Sequence, residues 1–157
     1  MNIYTLLEEI CDPEVPVLSI LDLGIVRGVK EEGDEVEVII TPTYSGCPAM
    51  DLIATQIREK LAEHHKKAKI TQVLSPAWTT DWLSEAGKRK LEEYGIAAPL
   101  HETADKLALM GQTRQVSCPQ CKSTNTQMIS QFGSTACKAL FKCLDCLEPF
   151  DYFKCLK

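Results

Sequence analysis

The sequence predicts an α/β (α+β) domain, a small mixed sheet with packed helices, followed by a small cysteine-rich β domain. Three observations carry this reading. Through the first part of the chain, hydrophobic periodicity switches between helical and strand spacing in short segments. Near the C-terminus, Cys118-x2-Cys121 and Cys143-x2-Cys146 stand 21 residues apart, about the loop length of a zinc ribbon. Charge divides in the same place: residues 1–111 carry 11 Lys+Arg against 19 Asp+Glu, net −8, while residues 112–157 carry 6 against 3, net +3. These features divide the chain into a first domain over 1–95, a linker over 96–113 and a zinc-ribbon-like domain over 114–157.

Taken in order, Ile3, Leu6, Leu7 and Ile10 repeat at helical spacing and predict a short opening helix, with Cys11 in the core at its end and Asp12-Pro13 as its stop. The stretch DPEVPVLSILDLGIV, with Pro13 and Pro16, predicts an extended entry into a strand. In it, Asp12 and Glu14 read on their own as a helix terminator and a solvated loop acid. Strands over 25–30 and 35–41 are joined by a turn at Gly33, with Val36, Val38 and Ile40 on one face and Glu35 and Glu37 on the other. Met50, Ile53, Ala54, Ile57 and Leu61 mark a helix reaching about His65; His64 and His65 belong to its solvated tail. Ile70 to Leu74 predicts a third strand, and the segment 76–96 one helix that its threonines cap, with Trp82 in the core and Gly95 just past its end. The linker holds Pro99, His101 and one helical turn near Asp105–Met110.

Cys47 falls at a strand-to-helix junction in TPTYSGCPAMD, and Pro48 suits the first turn of the helix that follows. Free N–H groups and the positive end of the helix dipole favour the thiolate there, the form that acts as nucleophile and metal ligand. Thr41 and Thr43 add hydroxyls beside it, and Gly46 permits close approach. Residue type alone leaves two readings open, a functional thiol and a small buried cysteine filling a gap. No His lies in a stretch that would place a base near Cys47, which argues against acyl-transfer catalysis.

In the tail, each CxxC sets two sulfurs on one tight turn, and two such turns complete a tetrahedral site. Cys118, Cys121, Cys143 and Cys146 are therefore the expected metal ligands, with structural zinc the expected ion and iron the alternative. Strands over 126–130 and 139–141 are expected around Gly133, in a piece small enough to depend on its metal. Cys137 and Cys155 are left as buried or spare thiols. Lys122 and Leu147 stand where glycine often follows such a turn.

The eight cysteines, without an export signal, fit a reducing compartment and metal binding better than disulfides. No apolar run approaches a membrane span, and Glu8 and Glu9 oppose a leader, so a cytoplasmic protein is expected. Four thiolates and a divalent ion would reduce the tail's small positive charge, which argues against nucleic acid as partner.

The combination DPEVPVLSILDLGIV, TPTYSGCP, an amphipathic helix and a strand ending in SPAW resembles the metal–sulfur cluster assembly factor family. With FGSTACKALFKC and EPFDYFKC added, the chain resembles the branch that accompanies bacterial phenylacetyl-CoA ring 1,2-oxygenases. The resemblance implies that Asp12 and Glu14 belong to the family's first motif and Cys47 to its second. It implies an accessory role, helping to build iron or iron–sulfur centres in a client with a di-iron catalytic subunit and a reductase. Transient iron or a cluster would be handled at Cys47, and a homodimer is one open assembly. A zinc-stabilised adaptor holding oxygenase subunits together is the alternative. The chain has neither a Glu-x-x-His pair for a di-iron site nor a GxGxxG dinucleotide motif.

Overall fold

The structure is a computed structural model that describes residues 2–43, 49–99, 116–133, 135 and 138–153. Two compact units divide it, one of Met1–Trp78 with Trp82–Gly87, the other of Thr79–Asp81 with Lys88–Lys157.

The first unit is a mixed three-stranded sheet with helices. Helix α1 (Ile3–Glu8) is capped by Asn2, whose side chain accepts the Tyr4 N–H, and it buries Ile3, Leu6 and Leu7. Strands β1 (Val26–Glu32) and β2 (Glu35–Ile40) form an antiparallel hairpin around Gly33 at φ +62°. The alternation in β2 is realised, with Val36, Val38 and Ile40 buried. Helix α2 (Ala49–Glu63) buries Met50, Ile53, Ile57 and Leu61, packs against α1 and returns the chain to β3 (Lys67–Gln72), which lies parallel to β2. That parallel pairing requires a crossover, which α2 supplies. His64 and His65 are exposed.

Four expectations are corrected by this unit. The stretch from Cys11 to Gly24 is a succession of turns rather than extended chain, stitched by Asp12 N–H to Leu18 O at 2.9 Å and Ile20 N–H to Ile10 O at 2.9 Å. Ile10 takes the buried position, and Cys11 is exposed. Instead of one helix in the segment 76–96, a 3₁₀ turn (Thr80–Trp82) precedes α3 (Glu85–Glu93), because Ser84 caps the second segment separately, its Oγ accepting the Gly87 N–H at 2.9 Å. Trp78 is the buried tryptophan, donating to Leu23 O at 2.7 Å, whereas Trp82 is half-buried under the Arg27 guanidinium at 3.9 Å. Gly95 does end α3, at φ +87°.

The second unit holds a four-stranded sheet in the order β4–β7–β6–β5. Strands β5 (Thr126–Ser130) and β6 (Lys138–Cys143) lie where the tail's strands were expected. Strand β7 (Pro149–Phe153) and the two-residue β4 (Ile96–Ala97) were not anticipated. Ile96 and Ala97, expected to begin the linker, instead pair in parallel with Asp151 and Tyr152. The core of this sheet joins Ala97, Val116, Ala139, Phe141, Phe150 and Tyr152 to Cys118 and Cys143. The rest of the linker from Leu100, including His101, lies outside the described residues.

Candidate metal centre

The two CxxC segments fold as knuckles of the same construction. In the first, Cys118 N–H donates to Ser123 O at 2.8 Å, Lys122 N–H donates back to Cys118 O at 2.9 Å, and Lys122 turns the chain at φ +63°. In the second, Cys143 N–H donates to Glu148 O at 2.9 Å, Cys146 N–H reaches the Cys143 sulfur at 3.5 Å, and Leu147 turns at φ +65°. The left-handed conformation that glycine usually supplies is thus adopted by two residues with side chains.

This construction brings the sulfurs of Cys118, Cys121, Cys143 and Cys146 within 4.8 Å of one another. Cys118 and Cys146 are 3.7 Å apart, and Cys121 and Cys143 3.5 Å. Four thiolates at about 2.3 Å from a tetrahedral zinc would be about 3.8 Å apart, so the array fits such an ion in size and donor type. Cys118 and Cys143 are buried, Cys121 and Cys146 exposed.

Close packing of four sulfurs spreads their acidities. The Cys146 N–H is the largest influence on Cys143 and draws its thiol down to about 7. At Cys146 the Glu148 N–H favours the thiolate, but burial and the other three sulfurs outweigh it and push the thiol up to about 12. For Cys121, the Ser123 N–H likewise acts downward, yet the Cys143 sulfur, burial and the Cys118 sulfur leave it raised. A cation among the sulfurs relieves this mutual repulsion.

Sequence reasoning missed a polar group beside the ligands. Asp145, between Leu144 and Cys146, accepts Asn125 Nδ2 at 3.0 Å and the Ser123 hydroxyl. Those two donors, Ser123 first, hold its carboxyl below the usual carboxylate range. An Asp within the second CxxC and a Ser-x-Asn just after the first were the available signal.

In the first unit, Asp12 is buried, and its Oδ1 accepts the N–H groups of Glu14 at 2.8 Å and Val15 at 2.9 Å, so it caps its own turn rather than facing solvent. Glu14 and Thr43 are half-buried. Thr41, directly after β2, is 1 % exposed, and its hydroxyl has no hydrogen-bond partner among the described residues, an unusual state for a buried polar atom. Cys47 precedes Ala49, the first residue of α2, by two positions and lies outside the described residues, as do Cys137 and Cys155.

An α/β module followed by a four-cysteine ribbon defines the class, and comparison with known proteins agrees with it. Residues 1–74 match the iron–sulfur cluster assembly protein family, and residues 102–154 match the PaaD zinc beta ribbon domain. The chain is 47 % identical, over 99 % of its length and 92 % of the relative's, to the D component of a putative 1,2-phenylacetyl-CoA epoxidase from Escherichia coli. It therefore belongs to the PaaD family, in which an iron–sulfur cluster assembly module is joined to a zinc β-ribbon. A Porphyromonas gingivalis "Fe-S protein maturation auxiliary factor" is 34 % identical over 57 % of this chain and 88 % of its own. The crystal structure of a domain of unknown function from Bacillus anthracis superposes with a TM-score of 0.53 at 27 % identity, covering 57 % of this chain and 87 % of that one.

Proposed function

We propose that the chain is an accessory maturation factor for a multicomponent phenylacetyl-CoA oxygenase. It assists assembly or insertion of that client's iron or iron–sulfur centres through Cys47 and is not the catalytic component. The observation that carries this reading is the full-length similarity to a protein named as a component of such an epoxidase, combined with a match of the first 74 residues to iron–sulfur cluster assembly proteins. In this reading iron or a cluster is cargo, received by the Cys47 thiolate. Asp12, which fixes its own turn, and Glu14 and Thr43 are assigned with Cys47 to the handling of that cargo. The buried hydroxyl of Thr41, without a partner among the described residues, supports a ligand atom arriving there.

The tail serves this function as a rigid module. Cys118, Cys121, Cys143 and Cys146 would hold structural zinc, with iron the competing ion, and a closed four-thiolate site supplies a cross-link with no open coordination position. The di-iron catalytic subunit and the reductase are the two candidate clients, met in the cytoplasm. No helix among the described residues is long and apolar enough to cross a membrane.

The test is Cys47→Ser, co-produced with the oxygenase subunits. The variant is expected to fold, to keep its full complement of tail metal and to associate with its client. The oxygenase recovered with it should lack iron and activity. Normal iron content and turnover would transfer the function to the adaptor reading, in which the chain only holds subunits together.

A further inference from the structure

We propose that Asp145 is the positioning residue of the tail's metal site: its carboxylate latches one knuckle to the other and thereby sets how firmly the four sulfurs hold their ion. This rests on the metal reading above. The bonds inside each knuckle are local, tying Cys118 to Lys122 and Ser123, and Cys143 to Cys146 and Glu148. They shape a knuckle without fixing its distance from its partner. The ladder between β5 and β6 fixes one end of that distance, since its last pair is Thr126 with Cys143. Beyond that pair the chains enter the loops that carry the exposed ligands, Cys121 and Cys146.

The latch lies across that gap. Asp145 accepts from Ser123 Oγ with one oxygen and from Asn125 Nδ2 with the other, at 3.0 Å for the latter. Both donors follow the first knuckle, and both are fixed in turn. Asn125 N–H donates to Ser123 Oγ at 3.0 Å, and Asn125 O accepts Leu144 N–H at 2.8 Å, from the residue beside Asp145. The result is a closed polar ring spanning the two knuckles. Asp145 is exposed, so solvent screens its charge and its influence on the ion is geometric. Hydrogen-bonded partners outside a ligand shell typically change metal affinity by about 10–100-fold when removed.

Geometry and charge separate in two substitutions. Asp145→Ala removes both acceptors. Asp145→Asn keeps an oxygen for Asn125 and places an amide donor toward Ser123 Oγ, restoring the ring without the charge. The full chain is loaded with zinc and mixed with the chromophoric chelator 4-(2-pyridylazo)resorcinol, and the rate of zinc transfer is followed. Asp145→Ala should release zinc about 10–100-fold faster than the unaltered chain, with Asp145→Asn within about threefold of it. Ser123→Ala should speed release by itself and add little on top of Asp145→Ala, as members of one network do. It also provides the measurement if Asp145→Ala does not fold. Cobalt(II) in place of zinc should give the same tetrathiolate charge-transfer spectrum in all variants, since the ligands are unchanged. Equal release rates, an Asp145→Asn variant as fast as Asp145→Ala, or an altered cobalt spectrum would each overturn the latch. An unaltered chain that takes up neither zinc nor cobalt would overturn the metal reading itself, and the latch with it.

Discussion

Leu147 combines a left-handed backbone at φ +65° with a side chain that is 63 % exposed. A side-chain-bearing residue gives up about 1–2 kcal/mol to hold that conformation, whereas glycine enters it freely but loses up to about 1 kcal/mol more backbone entropy on folding. With little burial to forfeit, Leu147→Gly should stabilise the metal-loaded chain by about 0.5–1 kcal/mol, raising its melting temperature by about 1–4 °C. An unchanged or lower melting temperature in scanning calorimetry would mean that Leu147 makes contacts worth more than the strain it carries. Lys122 faces the same conformational cost at φ +63°, and its side chain makes a surface ion pair to Glu92 at 3.5 Å. Two knuckles that retain their shape without glycine show that sulfur placement here is set by the N–H bonds of each turn rather than by a permissive residue.

At the scale of elements, the start of α3 depends on one hydroxyl used twice. Ser84 Oγ accepts the Gly87 N–H at 2.9 Å and donates to Asp22 Oδ1 at 2.9 Å, while Asp22 O accepts the Ser84 N–H at 2.9 Å. Ser84→Ala removes a helix cap and a donor to a buried carboxylate, and should cost about 1–2 kcal/mol. Urea denaturation should show a lower midpoint at unchanged slope; an unmoved midpoint would mean that α3 does not depend on this cap. The same junction shows what could be read in advance. The first-unit sheet and α2 follow from periodicity, because Val36, Val38 and Ile40 or Ile53, Ile57 and Leu61 encode their faces locally. The break before α3 does not, since Ser84 acquires its role by meeting Asp22, 62 residues earlier. Strand β4 is two residues whose strand character comes entirely from pairing with Asp151 and Tyr152. Two prolines suggested extended chain after Cys11, but Asp12 accepting two N–H groups bends that stretch into turns. In the metal centre the four cysteines were legible because their spacing is a local constraint. Asp145, Ser123 and Asn125 were not, because they look like ordinary loop residues until folding sets them face to face.

At the scale of the whole molecule, the two units differ in what fills their cores. Aliphatic side chains such as Ile3, Leu7, Ile20, Ile57 and Leu61 are buried in the first, whereas the core of the second includes two of the four sulfurs, Cys118 and Cys143, beside Phe141, Phe150 and Tyr152. Removing an ion from the second unit therefore leaves four unbridged sulfurs in a core too small to hold alone, and its folding should be coupled to metal. Protons should act in the same direction as a chelator. Binding requires thiolates, yet Cys146 with its thiol pushed up to about 12, and Cys121 raised less far, are protonated at neutral pH before metal arrives. Loading must displace those protons, so apparent affinity falls as pH falls, and below about 7 Cys143 also takes up a proton and competes. Both tryptophans of the chain, Trp78 and Trp82, belong to the first unit, so their emission reports on that unit. Treatment of the intact chain with excess chelator, or acidification from pH 8 to about 5.5, should release the ion and diminish the far-ultraviolet circular dichroism contributed by the tail. Tryptophan emission should keep its wavelength throughout. A red shift in step with metal release would mean that the first unit depends on the ion as well, and that the chain folds as one cooperative whole.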